Sequence, residues 1–223
     1  MAKVGFILSG CGVDDGSEIH EVVMSLYHLT RLGVEVCAYA PDIEQADVIN
    51  HATGQLDADA TRRNVLAESA RLMRGKIKPI SDAFAADLDA LLVPGGFGAA
   101  MNISDFGIRN NVDDMAVELH LDGLIKDMHA AGKPMGFLCI APASVAAVAL
   151  RGKGVELTIG ADEKIAKRIS LLGNTHVEAA CDDVVIDEKN NVLSTPAYML
   201  AKDIVEAEKG IAKLVTELVK RAS

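Results

Sequence analysis

The sequence has no tryptophan, and only three tyrosines and five phenylalanines among 223 residues. A chain this long can bury a sizeable core, so that core has to be built mainly from Ala, Val, Leu, Ile and Met. No run approaches 18 apolar residues, which argues against a membrane-spanning helix. The opening MAKVGFILSGCG has one lysine and a short apolar stretch broken by glycine, too little for a signal peptide. Positive charge is also scarce. Lys and Arg number 22 against 32 Asp and Glu, a formal charge of -10. Nucleic-acid binding wants a basic face, and this composition argues against it. The four cysteines, Cys11, Cys37, Cys139 and Cys181, have no metal-ligand spacing and are too scattered for a small disulfide scaffold. Reduced thiols in a cytoplasmic protein are the expectation. Repeats, linkers and low-complexity segments are missing too, so one domain over 1–223 is expected.

What is present is an alternation of short apolar strands with amphipathic helices. Residues 3–8 read as a buried strand ended by SGCG. Apolar positions 19, 22, 23, 26 and 29 have helical spacing, and Gly33 follows as a C-cap. Strands are expected at 34–39, 77–80, 90–93, 135–138 and 155–159, and a hairpin at 184–186 and 192–194. Helices are expected at 61–74, 112–131, 143–150, 162–172 and 201–219, with 42–60 irregular. A strand–helix–strand start leads to a parallel sheet. The fold class is therefore α/β, a three-layer, mostly parallel, doubly wound arrangement. Ligand sites of such sheets gather at the carboxyl ends of the strands.

Three segments fall there: SGCG after the first strand, PGGFG after the strand at 90–93, and Cys139 after the strand at 135–138. A thiol at a helix N-terminus gains from free N–H groups and the helix dipole. Ala141, Ala143 and Ser144 are small enough for a sharp turn, and Pro142 suits an early helical position. Cys139 is then either an attacking thiol or a packed core cysteine. Gly95 and Gly96 leave backbone N–H groups unobstructed, as an oxyanion cradle needs, or simply serve a tight turn. The glycine spacing is not a dinucleotide fingerprint.

A cysteine nucleophile works with a nearby acid or base. Glu18 and Glu21 share one face at the start of the first helix; capping by a solvated carboxylate is the alternative for Glu18, and it fits Glu21 less well because that residue lies deeper, beside Val22. His20, beside the first loop, and Asn50-His51, near the end of the second strand, are further candidates to line a site. Cys11 follows a strand at the same sheet edge as Cys139, so the two thiols are a candidate redox pair. His176-Val177-Glu178 has the His-x-Glu form of some amidotransferase triads, but it precedes an apparent strand.

The pieces SGCGVDDGSEIHE, INHATG, TRRNVLAESARL, PGGFGAAMN, GFLCIAPA and TPAYMLA together resemble the class I glutamine amidotransferase-like superfamily. Within it the chain is similar to the branch with PfpI protease-like and glyoxalase III-like proteins. More closely, it resembles the ElbB glyoxalases, isoprenoid biosynthesis proteins with an amidotransferase-like domain. The resemblance covers essentially the whole chain and implies flavodoxin-like, amidotransferase-like architecture. It places Cys139 on a strained elbow and Glu21, with Glu18 as fallback, against the thiol. It implies oxyanion donors near Gly95, Gly96 and Ile140. Protease-like relatives carry histidine directly after the cysteine, where this chain has Ile140. Others carry one about twenty residues on, where it has Leu157-Thr158-Ile159-Gly160.

The implied activity is a cofactor-independent, glyoxalase III-type lyase. It would convert glyoxal, with methylglyoxal as second candidate, to the 2-hydroxy acid through a cysteine hemithioacetal, with neither metal nor organic cofactor. The alternatives are a deglycase or other cysteine hydrolase on the same fold, or a non-catalytic stress or redox-sensing protein. The expected partners are a small dicarbonyl substrate and a second copy in a homodimer, with no membrane and no nucleic acid.

Overall fold

The structure, a computed structural model, describes residues 1–222; the expected domain runs on to Ser223, which lies outside the described residues. β1 (Lys3–Ile7) shows why the centre of the sheet is buried on both faces. Val4 and Phe6, with Leu8 just beyond, join one hydrophobic core, and Ile7 joins the other. This is the period of two that a strand imposes on its side chains. β1 pairs in parallel with β2 (Glu35–Ala40) and with β6 (Ala90–Val93). β7 (Met135–Leu138) pairs in parallel with β6, and β11 (Val192–Thr195) with β7. β5 (Lys78–Pro79) finishes one edge in parallel, and β10 (Val185–Asp187) finishes the other antiparallel to β11.

The resulting order is β10-β11-β7-β6-β1-β2-β5. Strands β7, β6 and β1 are thus immediate neighbours. The loops after them, far apart in sequence, converge at one edge in the middle of the sheet, where such folds hold their ligands.

Helices cover both faces. α1 (Ile19–Arg31) and α7 (Ile204–Arg221) pack on the Val4–Phe6–Leu92 side through Val22, Leu29, Ile211 and Leu214. α4 (Leu119–Ala130) lies on the other side with the helical segment that follows Cys139. That segment opens as a π-helical turn over Pro142–Ala146 and ends in the short α5 (Ala147–Ala149). This is the three-layer α/β architecture expected.

Four differences from the sequence expectation have local causes. The helix expected at 112–131 is a 3-10 turn, Val112–Asp114, followed by α4 only from Leu119. Glu118 caps α4 by accepting from the His120 and Leu121 N–H groups. The buried Met115 and Val117 belong instead to an extended strap: Asp105 N–H donates to Ala116 O and Glu118 N–H to Ile103 O. Helical spacing mistook this strap for a helix face. The irregular 42–60 contains a small exposed hairpin, β3 (Ile49–Asn50) with β4 (Gln55–Leu56), too short and polar to leave a pattern. α2 (Val65–Leu72) starts later than expected because Asn64 caps it. Residues 155–159 contribute only β8 (Glu156–Leu157), paired with β9 (Thr175–His176) in a separate two-stranded sheet. A one-turn helix after the glycine turn, α3 (Phe97–Met101), and α6 (Glu163–Leu171), capped by Asp162, complete the elements.

Candidate active site

Cys139 follows β7 with φ of +58°, one of only four non-glycine residues at positive φ among the described residues. A side-chain-bearing residue rarely adopts this conformation, and it persists only where surrounding contacts hold it. Two contacts do so here. Cys139 N–H donates to Thr195 O at 3.0 Å, tying the residue to β11, and Ile140 O accepts from the Ala143 and Ser144 N–H groups, starting the π-helical turn. The turn gives a strained strand–Cys–helix elbow with a buried thiol.

Glu21 lies in the first turn of α1 and is completely buried. Its Oε2 accepts from Gly95 N–H at 2.8 Å. The Cys139 thiol and the Tyr198 N–H approach the same carboxyl, while Oε1 has no well-aligned partner. Burial, reinforced by the nearby Glu18 charge, pushes Glu21 up to about 8. Glu21 is therefore neutral at pH 7.

Burial, and then the charge Glu21 would carry if ionised, pushes the Cys139 thiol well above its ordinary range. The Gly96 and Ile140 N–H groups pull it down by pointing at the sulfur. The two groups oppose each other's ionisation: protonating Glu21 removes the repelling charge and turns the carboxyl into a donor toward sulfur. The pair therefore carries one negative charge far more readily than two.

The glycine turn is shaped by this contact. A Cβ on Gly95 would stand 2.5 Å from Cys139 Cβ, 2.9 Å from Sγ and 3.0 Å from Glu21 Oε2. Gly96, at φ of +91°, has no room either, because Gly16 O and the Glu18 N–H press against it. The first loop is laced to this turn by Glu18 N–H to Gly95 O, Phe97 N–H to Val13 O and Gly98 N–H to Gly16 O. Gly95 N–H is engaged by Glu21, whereas the Gly96 and Ile140 N–H groups face sulfur and make no other hydrogen bond among the described residues. Gly96 and Ile140, rather than Gly95, form the donor pair.

The other expected residues are arranged as follows. Glu18 is the N-cap of α1: its Oε2 accepts from Glu21 N–H at 2.7 Å, so it acts on Cys139 only through Glu21. His20 is half-exposed, with Nδ1 2.8 Å from Tyr198 Oη and 3.8 Å from Glu18 Oε1. Cys11 sits beside Glu68 and Arg71 of α2, and burial followed by the Glu68 charge pushes its thiol up; Cys11 and Cys139 are both free thiols. His51 packs on the first loop, where Nε2 accepts from Asp14 N–H and Nδ1 lies 3.2 Å from Ile49 O. Asn50 organises the β3–β4 turn by accepting from Ala52, Thr53 and Gly54. His176 is engaged in β9. Tyr198 escaped the sequence reading. The signal was the Pro196-Ala197-Tyr198 turn straight after the last strand, at the same sheet edge as the other loops. No group of three or more His, Cys, Asp or Glu able to hold a metal is assembled among the described residues.

A parallel sheet with a Cys elbow, facing a glutamate from the first helix and a glycine turn from the neighbouring strand, defines the class I glutamine amidotransferase-like fold of the PfpI type. No protein-family model matches the chain, but individual proteins do. It is 40% identical to the ES1 protein homolog, mitochondrial, of Rattus norvegicus, covering 98% of this chain and 83% of that one. It is also 40% identical to glutamine amidotransferase-like class 1 domain-containing protein 3, mitochondrial, of Homo sapiens, covering 98% and 82%. The crystal structure of an isoprenoid biosynthesis protein with amidotransferase-like domain from Ehrlichia chaffeensis superposes with a TM-score of 0.90 at 31% identity over all of both chains. The chain belongs to this ES1 and ElbB family of amidotransferase-like proteins, within a superfamily that contains catalytic cysteine enzymes.

The cytoplasmic expectation is corrected by the same findings, because the rat and human relatives are mitochondrial proteins by name. Free thiols report a reducing milieu rather than one compartment. No helix of the described residues is long and apolar enough to cross a membrane.

Proposed function

We propose that the protein is a cofactor-independent glyoxalase that converts glyoxal, and methylglyoxal, to the 2-hydroxy acid. One observation carries this reading: a strained, buried thiol rests against a buried carboxyl that holds its proton, with two backbone N–H groups pointed at the sulfur. A vicinal dicarbonyl is electrophilic enough to need no further activation of the thiol. Acyl transfer from an amide needs a base that also protonates an amine leaving group, and Ile140 occupies the place where a histidine would serve.

Cys139 sulfur bonds to one aldehyde carbon and Glu21 supplies the proton to the new hydroxyl, while the thiol proton leaves to water and an equivalent one returns to Glu21 when the product is released. The Gly96 and Ile140 N–H groups stabilise the oxygen while it carries charge. Glu21, now ionised, takes the hydrogen from that carbon as a proton and returns it to the neighbouring carbon through an enediol. The sulfur-bound carbon becomes a thioester carbonyl. Water cleaves the thioester, releasing glycolate from glyoxal or lactate from methylglyoxal and restoring the thiol. Glyoxal plus water gives glycolic acid with no oxidant, and every step uses groups of this chain and water.

Turnover of glyoxal, methylglyoxal, glutamine and small amides by the wild-type protein, with products resolved by chromatography, tests the reading. Glycolate and lactate are the expected products. Ammonia from glutamine or an amide, without 2-hydroxy acid from either dicarbonyl, would overturn it.

A further inference from the structure

The scheme leaves one task unassigned. In passing from hemithioacetal to thioester, the oxygen on the second carbonyl carbon gains a proton and the oxygen on the first loses one. Glu21 is occupied with the carbon-bound proton. The structure offers a second acid–base pair beside it.

His20 Nδ1 lies 2.8 Å from Tyr198 Oη, and the rings are tilted at 45° with centroids 5.8 Å apart. The imidazole is half in solvent, while the phenol belongs to a partly buried residue packed on the core that holds Cys139. The pair therefore has one wet end and one inner end. Tyr198 is carried by a second strained turn. Ala197 is fully buried at φ of +44°, two residues after Thr195. Thr195 is the register partner of Leu138, the residue before Cys139, and its carbonyl accepts from Cys139 N–H. Two side-chain-bearing residues at positive φ thus sit at the ends of adjacent strands. Such strain collects at functional sites. The Tyr198 N–H approaches the Glu21 carboxyl, so one residue touches the acid through its backbone and carries the hydroxyl bonded to His20 on its side chain. Burial, then the Glu18 and Glu21 charges, pushes the phenol up, which keeps it a proton donor at neutral pH.

We propose that Tyr198, relayed to solvent through His20, is the second acid–base group of this site and makes a vicinal dicarbonyl the required substrate class. The proposal rests on the glyoxalase reading above. Tyr198 Oη donates its proton to the oxygen on the second carbon as the enediol forms. His20 Nδ1–H refills the phenol, and the exposed Nε2 exchanges with water. The proton lost from the first oxygen, when the thioester carbonyl forms, returns through the same pair, so no net proton is consumed. A lone aldehyde can still form a hemithioacetal with Cys139, but has no second oxygen for Tyr198 to serve and is not turned over.

The test is Tyr198→Phe, which keeps the ring and deletes the hydroxyl. With glyoxal, kcat falls on the order of a hundredfold, the usual loss for one acid–base group. Alkylation of Cys139 by iodoacetamide stays at the wild-type rate, and intact mass spectrometry finds the one-glyoxal adduct accumulating. His20→Gln, at a half-exposed position where folding is not at risk, lowers kcat about tenfold with KM unchanged, less than the hundredfold of a full acid–base group because water can still refill the phenol. A fully active Tyr198→Phe, in a protein whose Cys139→Ala variant is dead, overturns this inference and leaves the glyoxalase reading standing. A Tyr198→Phe that loses alkylation and turnover together marks a structural role and also overturns it. Wild-type protein that fails to turn over glyoxal overturns both.

Discussion

At the residue scale, Glu21 is the group whose chemistry is most displaced by its surroundings. A carboxyl buried without a cation becomes costly to ionise, and here its ordinary 4.5 rises to about 8. The folded state therefore holds this proton more tightly than the unfolded chain does. The associated stability is complete below pH 4.5 and is lost as pH rises toward about 8, with a slope approaching ~1.4 kcal/mol per pH unit inside that window. Glu21→Gln removes that slope. Urea unfolding at about pH 5 and about pH 8 checks it: the wild type weakens between the two, and the variant holds nearly constant from this source. The same substitution takes away the acid and lowers glyoxal turnover on the order of a hundredfold. Gly95 makes a second residue-scale case. Gly95→Ala drives a methyl into Cys139 Cβ and Sγ. It costs about 1–3 kcal/mol of stability, as overpacking does, and lowers turnover further than stability, because the methyl displaces the thiol. Thermal melts and kcat measured on the same preparation separate the two effects.

At the element scale, α1 links fold and chemistry, because its N-cap and its first buried residue are the two glutamates. Glu18 accepts from Glu21 N–H and, as a charge, helps keep the Glu21 proton on. Glu18→Gln retains an acceptor oxygen and deletes the charge. Stability changes by under about 0.5 kcal/mol if the amide oxygen takes the cap, while the pH profile of turnover moves to lower pH, since Glu21 then ionises earlier. Burial, the larger cause, still keeps Glu21 above its ordinary value. A pH–rate profile of the variant reads this directly, and an unchanged profile would mean that Glu18 acts only as a cap. Element by element, legibility in the sequence follows period and burial. Residues 90–93 and 135–138 were readable to the residue, because short apolar runs bounded by proline have one reading in a chain already alternating strand and helix. Residues 112–118 were not, since Val112, Met115 and Ala116 match helical spacing while the strap they form depends on hydrogen bonds to Ile103 and Asp105, out of reach of any local pattern.

At the scale of the whole molecule, the site exists because the sheet order puts β7, β6 and β1 side by side. Three segments more than forty residues apart in sequence thereby meet as elbow, donor turn and acid. Family resemblance made Cys139 and Glu21 a pair before the structure did. Residue positions alone leaned toward Glu21, which lies deeper in the helix beside Val22, and three dimensions show Glu18 as the cap and Glu21 as the buried acid. Tyr198 was missed for the converse reason: the Pro196-Ala197-Tyr198 turn after the last strand is legible, but its approach to His20 and Glu21 is a long-range contact that no local pattern shows. Asn50 and His51 looked like site residues because they are polar and follow a strand, yet their partners belong to the first loop and the small hairpin. The central claim is that Cys139 forms the covalent bond to substrate. Glyoxal turnover by purified Cys139→Ala, beside wild type of equal thermal stability, tests it most directly. Loss of glycolate formation to the uncatalysed background is the predicted result. Glycolate formed at the wild-type rate would contradict it.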